Sequence, residues 1–263
     1  MQTVAIFMIF AELLGPSVGE VPKEHAALAK VRAPVEVNTE KAQSPQVFDE
    51  ARLTPVIVAQ KTPLDEAVDA MQAAYEKTTD FNATFRQKYT YTLLRRTQES
   101  AGTVSFKKPG KMRWDYKTPA EKSFIIDGKK LWVVQTADQT ALVNRCFKQD
   151  GLTASVAFLW GAGDIRKEFN VTFFKGVFGE KTDIHLELNP KEKNTVFAKL
   201  ILVLDPKSHR VKQSIVVDPA GNVNQFFFEN LKFNQGAKDQ SFVFTPPKGM
   251  HVSDIPGSCK VAE

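Results

Sequence analysis

The stretch Phe124-Ile125-Ile126-Asp127-Gly128-Lys129-Lys130-Leu131-Trp132-Val133 predicts two short strands joined by a tight turn. Apolar, largely β-branched or aromatic residues flank an Asp-Gly pair, and Asp-Gly suits the positive φ angles that tight hairpin turns require. Because so short a connection can join only antiparallel neighbours, the domain is expected to be built on an antiparallel sheet.

Alternation of period two extends outward from this hairpin. From Phe81 to Thr92, residues that are aromatic apart from Ala83 and Gln87 alternate with polar ones, which predicts a long strand. Further strands are predicted at 101–107, 112–117, 122–127, 130–136, 139–145, 169–174, 183–189, 195–204, 211–217, 222–233 and 241–245. The predicted fold class is mainly β with helices: a curled antiparallel sheet of about eleven strands, an incomplete barrel, because a flat open sheet rarely holds so many.

Two helices are predicted to close the concave side of this sheet. Thr62 is a good N-cap and Pro63 a good first helical residue, and an apolar stripe with helical spacing then runs from Leu64 to Tyr75. Residues 152–160 form a second, short apolar segment, which Gly161 and Gly163 follow as hinge points. We expect this segment to act as a lid.

The chain divides by composition into four parts. Residues 1–19 are predicted to be a signal peptide, because their apolar run is shorter than the roughly 20 residues that span a bilayer. Residues 20–61 contain four prolines and no periodicity, which predicts a disordered, Pro/Ala-rich tether. Residues 62–252 form the predicted β domain and 253–263 a C-terminal tail. Cys146 and Cys259 match no metal-binding spacing, and whether they pair stays open.

The sequence offers no catalytic, metal-binding or cofactor-binding pattern. The four histidines belong to no nucleophile motif, and neither a Cys-x-x-Cys or His-x-x-x-His pair nor a phosphate-binding Gly-rich loop occurs. We therefore predict a protein that is not an enzyme and needs no cofactor or metal. Nucleic acid is not expected as a partner, because the aromatic residues alternate with β period and form no recognised RNA-binding motif.

Composition and charge suggest what the domain could hold. The 20 phenylalanines, against 4 tyrosines and 3 tryptophans, favour either a Phe-rich core or a cavity for an apolar ligand. The net charge is +5, and residues 107–130 hold eight basic against three acidic side chains. That basic segment fits either a solvated sheet face or a docking surface for an acidic partner or anionic lipid headgroups. The predicted docking residues are Lys107, Lys111, Arg113, Lys117 and Lys122.

Four segments resemble a known family. The first is Phe106-Lys107-Lys108-Pro109-Gly110-Lys111-Met112-Arg113-Trp114-Asp115-Tyr116 with Pro119 and Asp127-Gly128-Lys129-Lys130-Leu131-Trp132, the second Phe81–Gln87, the third Val217–Asn222 and the fourth Phe242–Val252. Together, in this order, they are similar to the LolA family of periplasmic lipoprotein carriers, over about residues 64–252.

The resemblance implies a fold and a task. The fold is an incomplete antiparallel barrel with helices forming a lid over an apolar cavity. The task is to receive triacylated lipoproteins from an inner-membrane ABC-type releasing complex and pass them to an outer-membrane acceptor. The chain would then be a periplasmic monomer with its signal peptide removed. Many family members carry Arg at the position of Lys108, where it helps to hold the lid closed, and Lys lacks the planar fork of Arg.

The side of its predicted helix or strand on which each residue lies gives a hypothesis for the lipid-binding residues. Those expected to face the cavity are Met71, Phe85, Met112, Trp114, Phe124 and Phe228, with Val156, Leu159 and Trp160 from the lid. Each of them also fits an ordinary core position. Three alternatives stay open: a lipid-sensing or regulatory domain of the same fold, a carrier of glycolipids or hydrophobic metabolites, and an adhesion domain with a filled core.

Overall fold

The structure is a computed structural model that describes residues 61–147, 164–176, 178–192 and 197–255. The predicted signal peptide, tether and lid segment, with Val156, Leu159, Trp160, Gly161 and Gly163, lie outside the described residues.

One helix precedes the sheet and begins where the sequence predicts. Helix α1 spans Pro63–Glu76, and Thr62 caps it: the Thr62 hydroxyl accepts from the Asp65 amide, while the Asp65 carboxylate accepts from the Thr62 amide. This reciprocal pair satisfies amide groups that have no partner within the helix. Val68, Met71 and Tyr75 are buried, so the apolar stripe faces the sheet interior as expected.

The strands follow in chain order, with one short helix among them. They are β1 Asp80–Tyr91, β2 Arg96–Lys107, β3 Lys111–Thr118, β4 Lys122–Asp127, β5 Leu131–Gln135, β6 Thr140–Asn144, helix α2 Ile165–Glu168, β7 Phe169–Phe173, β8 Ile184–Pro190, β9 Lys199–Leu204, β10 Val211–Val217, β11 Val223–Phe233, a 3₁₀ turn Asp239–Phe242, and β12 His251–Asp254.

All twelve strands of the described residues belong to one curled sheet, which does not close. Their spatial order is β12-β6-β5-β4-β3-β2-β1-β11-β10-β9-β8-β7, so strands that are not consecutive in the chain are neighbours at two places, β1 with β11 and β6 with β12. This confirms the predicted fold class. The Asp127-Gly128 hairpin is also confirmed, with Phe124 opposite Val133 and the Asp127 carboxylate accepting from the amides of Lys129 and Lys130.

The C-terminal part departs from the prediction. The expected strand at 241–245 is wrong: Asp239–Phe242 is a 3₁₀ turn, and Phe244 packs against Trp132 on the outer face of the sheet. The alternation there reflects packing on the sheet and not pairing within it. The edge strand β12 was not predicted, runs parallel to β6, and passes the domain boundary drawn at residue 252.

The sheet is buried on parts of both faces. The largest apolar cluster lies on the inner, concave side together with α1. A second cluster on the outer side joins Ile125, Trp132 and Val143 to the C-terminal segment, and a third joins Ile201 and Ile215 to Phe174. Strands covered on both faces need continuous apolar runs, which accounts for Phe124–Ile126 and Leu200–Leu204. Cys146, just after β6, is disulfide-bonded, and its partner lies outside the described residues.

Candidate ligand-binding face

The inner face of the sheet brings together the predicted lipid-binding residues that the structure describes. The side chains of Met71, Phe85, Met112, Trp114 and Phe124 are buried in one apolar cluster, and Phe228 is partly buried against it. These six come from α1, β1, β3, β4 and β11, so residues distant in sequence converge because each has the inward phase of its own element. The structure thus places them on one surface, while their role in lipid binding remains a prediction.

Phe85 lies at the centre of the aromatic contacts on this face. Its ring centroid is 4.9 Å from that of Trp114, 4.9 Å from that of Tyr116 and 6.1 Å from that of Phe226. The last of these rings in turn contacts Trp114 at 5.2 Å. Tilted and edge-on pairs of this kind stabilise the cluster beyond the area they bury.

A glycine on β2 permits the contact between Phe85 and Tyr116. Gly102 lies between them in the sheet, opposite Phe85 on one side and Tyr116 on the other. A Cβ atom on Gly102 would stand only 2.0 Å from the carbonyl oxygen of Asp115. No other residue fits this close approach of β2 and β3 without moving a strand.

Sequence reasoning missed several members of this face. Tyr116 and Phe226 are buried in the inner cluster, and Phe81 stacks on Phe106 there with ring centroids 4.6 Å apart. A usable signal was present, since Tyr116 has the same phase as Trp114 on β3 and Phe226 the same as Phe228 on β11.

Lys108 contacts the C-terminal end of α1, while its predicted role at the lid stays a prediction. Its Nζ donates to the carbonyl oxygens of Tyr75 at 2.6 Å and Glu76 at 3.1 Å, at the C-terminal end of the helix. A cation there also complements the helix dipole. Burial lowers the pKa of Lys108, and the neighbouring Glu76 carboxylate opposes that effect.

Arg166 holds the other half of the same helix. It follows the predicted lid segment in the chain, and its guanidinium lies 2.7 Å from the Asp69 carboxylate and donates to the Asp65 carbonyl oxygen at 3.0 Å. Helix α1 is therefore tied both to the β2–β3 turn and to α2. No local pattern predicts the Arg166 contact, because its partners are about a hundred residues away.

The predicted docking residues are mostly engaged within the chain. Lys107 and Lys111 both pair with the Asp239 carboxylate, at 2.6 and 2.7 Å, and Arg113 binds Asp115. Arg113 also donates to the Ser241 carbonyl oxygen. These three hold the 3₁₀ turn Asp239–Phe242 on the outer face, and their role in docking stays a prediction.

The remaining two docking residues differ sharply from each other. Lys117 is exposed and lies 3.8 Å from Glu121. Lys122 is only 9% exposed and faces inward, so its placement on a docking surface is wrong. It belongs to the inner face, where its phase on β4 is that of Phe124.

The described residues hold neither a cluster of metal ligands nor a membrane-spanning helix. They contain no group of three or more His, Cys, Asp or Glu side chains arranged to hold a metal ion. Within the same ranges, no helix has the length and apolarity needed to cross a membrane.

The described residues thus form an unclosed, curled β-sheet with a largely apolar inner face and a helix tied across it, the architecture of an incomplete barrel. Residues 76–245 match the family described as outer membrane lipoprotein carrier protein LolA. The chain belongs to this family, which is a family of carriers and not of enzymes.

Relatives and solved structures extend the comparison. The chain is 27% identical to the outer-membrane lipoprotein carrier protein of Methylobacillus flagellatus, over 71% of this chain and 88% of that protein. It is 31% identical to the protein of that name from Pseudomonas aeruginosa, over 60% and 73% respectively. Among solved structures, an uncharacterized conserved protein from Thermus thermophilus aligns with a TM-score of 0.47 at 13% identity, covering 72% of this chain and 98% of that one. A LolA superfamily protein from Nitrosomonas europaea aligns with a TM-score of 0.39 at 9% identity, covering 70% and 99%.

Proposed function

We propose that the protein is a periplasmic carrier that encloses the acyl chains of lipoproteins against the inner face of its sheet. It would take triacylated lipoproteins from an inner-membrane ABC-type releasing complex and deliver them to an outer-membrane acceptor. The observation that carries this proposal is the convergence of Met71, Phe85, Trp114 and Phe228 on one apolar face of an open sheet. Family membership supports it independently.

The energetics require a carrier that can release what it holds. Burying an acyl chain is worth about 0.8 kcal/mol per methylene, but a bilayer offers the same gain. The carrier must therefore be loaded by a partner, and its apolar face must remain adaptable. Met71 and Met112 suit this, because unbranched thioether side chains change shape at little cost.

Two adjacent phenylalanines on β11 provide a matched test. Phe228 packs against the inner cluster, whereas Phe227, the next residue, points outward with the Arg86 guanidinium 4.6 Å from its ring. Both are half-buried. We expect Phe228→Gln to weaken lipoprotein binding about tenfold or more, because apolar contact area is lost and an amide enters the site. Phe227→Gln should bind as the wild type does.

The measurement is co-purification of lipoproteins with each variant from a bacterial periplasm, followed by native mass spectrometry. Circular dichroism checks that both variants are folded. Equal binding by the two folded variants would remove the inner face from the proposal. A bound glycolipid, or another lipid in place of lipoprotein, would favour the alternative carrier and sensor functions.

A further inference from the structure

The inner face changes character along the strands. At the end nearest Lys108 it is mainly aromatic, with Phe81 stacked on Phe106 and in contact with Phe233. Towards the β1–β2 turn it becomes polar: Gln87 and Asn224 are buried and joined by a hydrogen bond of 2.8 Å from the Gln87 amide nitrogen. A ligand lying along this face would thus have an apolar end and a polar end.

Lys122 stands at the boundary between the two regions. It is paired with Tyr116 across β3 and β4, and its Nζ lies 4.7 Å from the centre of the Tyr116 ring and 5.9 Å from that of Phe124. Within the part of the chain that the structure describes, the ammonium group has no hydrogen bond and no ion pair. Ring faces offset part of the cost of removing a cation from water, but a buried ammonium ordinarily also has an anionic partner.

The carboxylates nearest to Lys122 in the sheet point away from it. Asp115, on the neighbouring strand, accepts from Arg113 and Ser123 on the outer face. Glu121, the residue before Lys122, pairs with Lys117 at the surface. Among the described residues, therefore, no side chain supplies the negative charge that Lys122 could neutralise.

A second polar group beside Lys122 is also unsatisfied. The Tyr116 hydroxyl is buried and makes no hydrogen bond within the described residues, although it can both donate and accept. A buried hydroxyl without a partner destabilises the fold, so its retention calls for an explanation. An oxygen anion near the two groups would accept from the hydroxyl and from the ammonium together.

We propose that Lys122 and Tyr116 form a headgroup site for an oxygen anion, carboxylate or phosphate, at the end of an acyl chain that lies along the inner face. The inference rests on the proposed function in that it uses the same apolar face for the chain. It goes beyond that function, because the ester- and amide-linked acyl groups of a lipoprotein carry no such anion. Anionic single-chain lipids are then a second class of ligand.

The test compares lipids of equal chain length that differ only in the headgroup. Palmitate carries a carboxylate, palmitoyl lysophosphatidate a phosphate, and hexadecanol neither. Binding to the purified protein is measured by titration calorimetry below the critical micelle concentrations. We expect the wild type to bind at least one of the two anionic lipids about tenfold or more tightly than hexadecanol, since a charge-assisted hydrogen bond is worth that factor.

Three variants assign the effect to the two residues. Lys122→Met, of similar length and apolar, should lose the tenfold preference and leave hexadecanol binding unchanged. Lys122→Arg should keep the preference, and Tyr116→Phe should reduce it by a smaller factor. Lys122→Met removes a buried charge, so it is expected to fold at least as well as the wild type.

The outcomes separate the two proposals. If hexadecanol binds and neither anionic lipid binds more tightly, the headgroup site is overturned and the apolar face stands. If no lipid binds, the headgroup site is overturned, and the proposed function is then decided by the co-purification of lipoproteins alone. If Lys122→Met weakens all three lipids equally, Lys122 contributes packing and not charge recognition, and the headgroup site is again overturned. The lipid with the larger preference identifies the anion.

Discussion

Lys108 and Lys122 lie on the same basic segment and are opposites in their surroundings. Both are withdrawn from water, and burial lowers the pKa of each. The Lys108 ammonium reaches two carbonyl oxygens at the end of α1, whereas among the described residues that of Lys122 meets only the faces of aromatic rings. The half-buried Lys108 therefore helps to complete the fold, whereas the buried Lys122 has no anionic partner among the described residues.

The difference shows that charge on a segment does not define its role. Residues 107–130 read as one basic stretch, yet the structure assigns their side chains to three tasks: fastening the 3₁₀ turn on the outer face, ending helix α1, and facing the inner cluster. Stability measurements can test this division, because the tasks predict opposite signs for the same substitution.

The largest expected effect is at Lys108. Lys108→Met should lower the free energy of unfolding by about 2 kcal/mol, because two helix-terminal carbonyl oxygens lose a charged donor. Urea unfolding followed by circular dichroism measures this. Lys129→Met, in the exposed β4–β5 turn, is the matched control and should change stability by less than about 0.5 kcal/mol. A Lys108→Met variant as stable as this control would contradict the helix-fastening role.

Lys122→Met should shift stability in the opposite direction. Burial lowers the pKa of Lys122 from 10.5 to about 8, so the folded state at pH 7 carries the cost of a desolvated charge. We expect the variant to be more stable than the wild type by about 1 kcal/mol, because each pKa unit corresponds to about 1.4 kcal/mol and remaining solvent contact screens part of it.

The extra stability of Lys122→Met should depend on pH in a way that identifies the buried charge as its cause. Below pH 8 the lysine is charged in both the folded and the unfolded chain, and the cost is complete. Between pH 8 and 10.5 the folded state loses its proton first, so wild-type stability rises relative to the variant. Above about pH 10.5 both states are neutral and the difference vanishes. Unfolding of the two proteins at pH 7, 9 and 10.5 tests this, and a gain independent of pH would indicate better packing alone.

The sequence contained more about Lys122 than its charge suggested. Lys122, Phe124 and Ile126 share one phase on β4, so a strict reading of period two places Lys122 inward. The positive charge outweighed that pattern in the prediction, because lysine is rarely buried. Alternation along the strands alone predicted the inner face correctly. Its residues there include Phe85, Met112, Trp114 and Phe124.

Contacts between distant segments could not be predicted in this way. Phe242 and Phe244 alternate as in a strand, and nothing local indicates that this segment lies on top of the sheet with Phe244 against Trp132. The contact of Arg166 with Asp69 likewise depends on where the chain returns after almost a hundred residues. Periodicity predicts which side of a strand or helix is buried. The segment that packs against that side depends on the path of the whole chain through the sheet.

The smallest expected effect separates the outer cations from Lys108 and Lys122. The Asp239 carboxylate accepts from both Lys107 and Lys111, and these hydrogen bonds lower its pKa to about 2. The stabilisation is therefore complete above the ordinary aspartate pKa and is lost as the pH falls towards 2. Asp239→Asn should reduce stability slightly at pH 7, because exposed ion pairs contribute little, and the loss should shrink with added salt.

Glu121→Gln, which removes the longer, exposed pair with Lys117, is the control and should have no measurable effect. A loss at Asp239 as large as that at Lys108, or one insensitive to salt, would mean that the outer cations are as integral to the fold as the helix contact, and the division of the basic segment into separate tasks would fail.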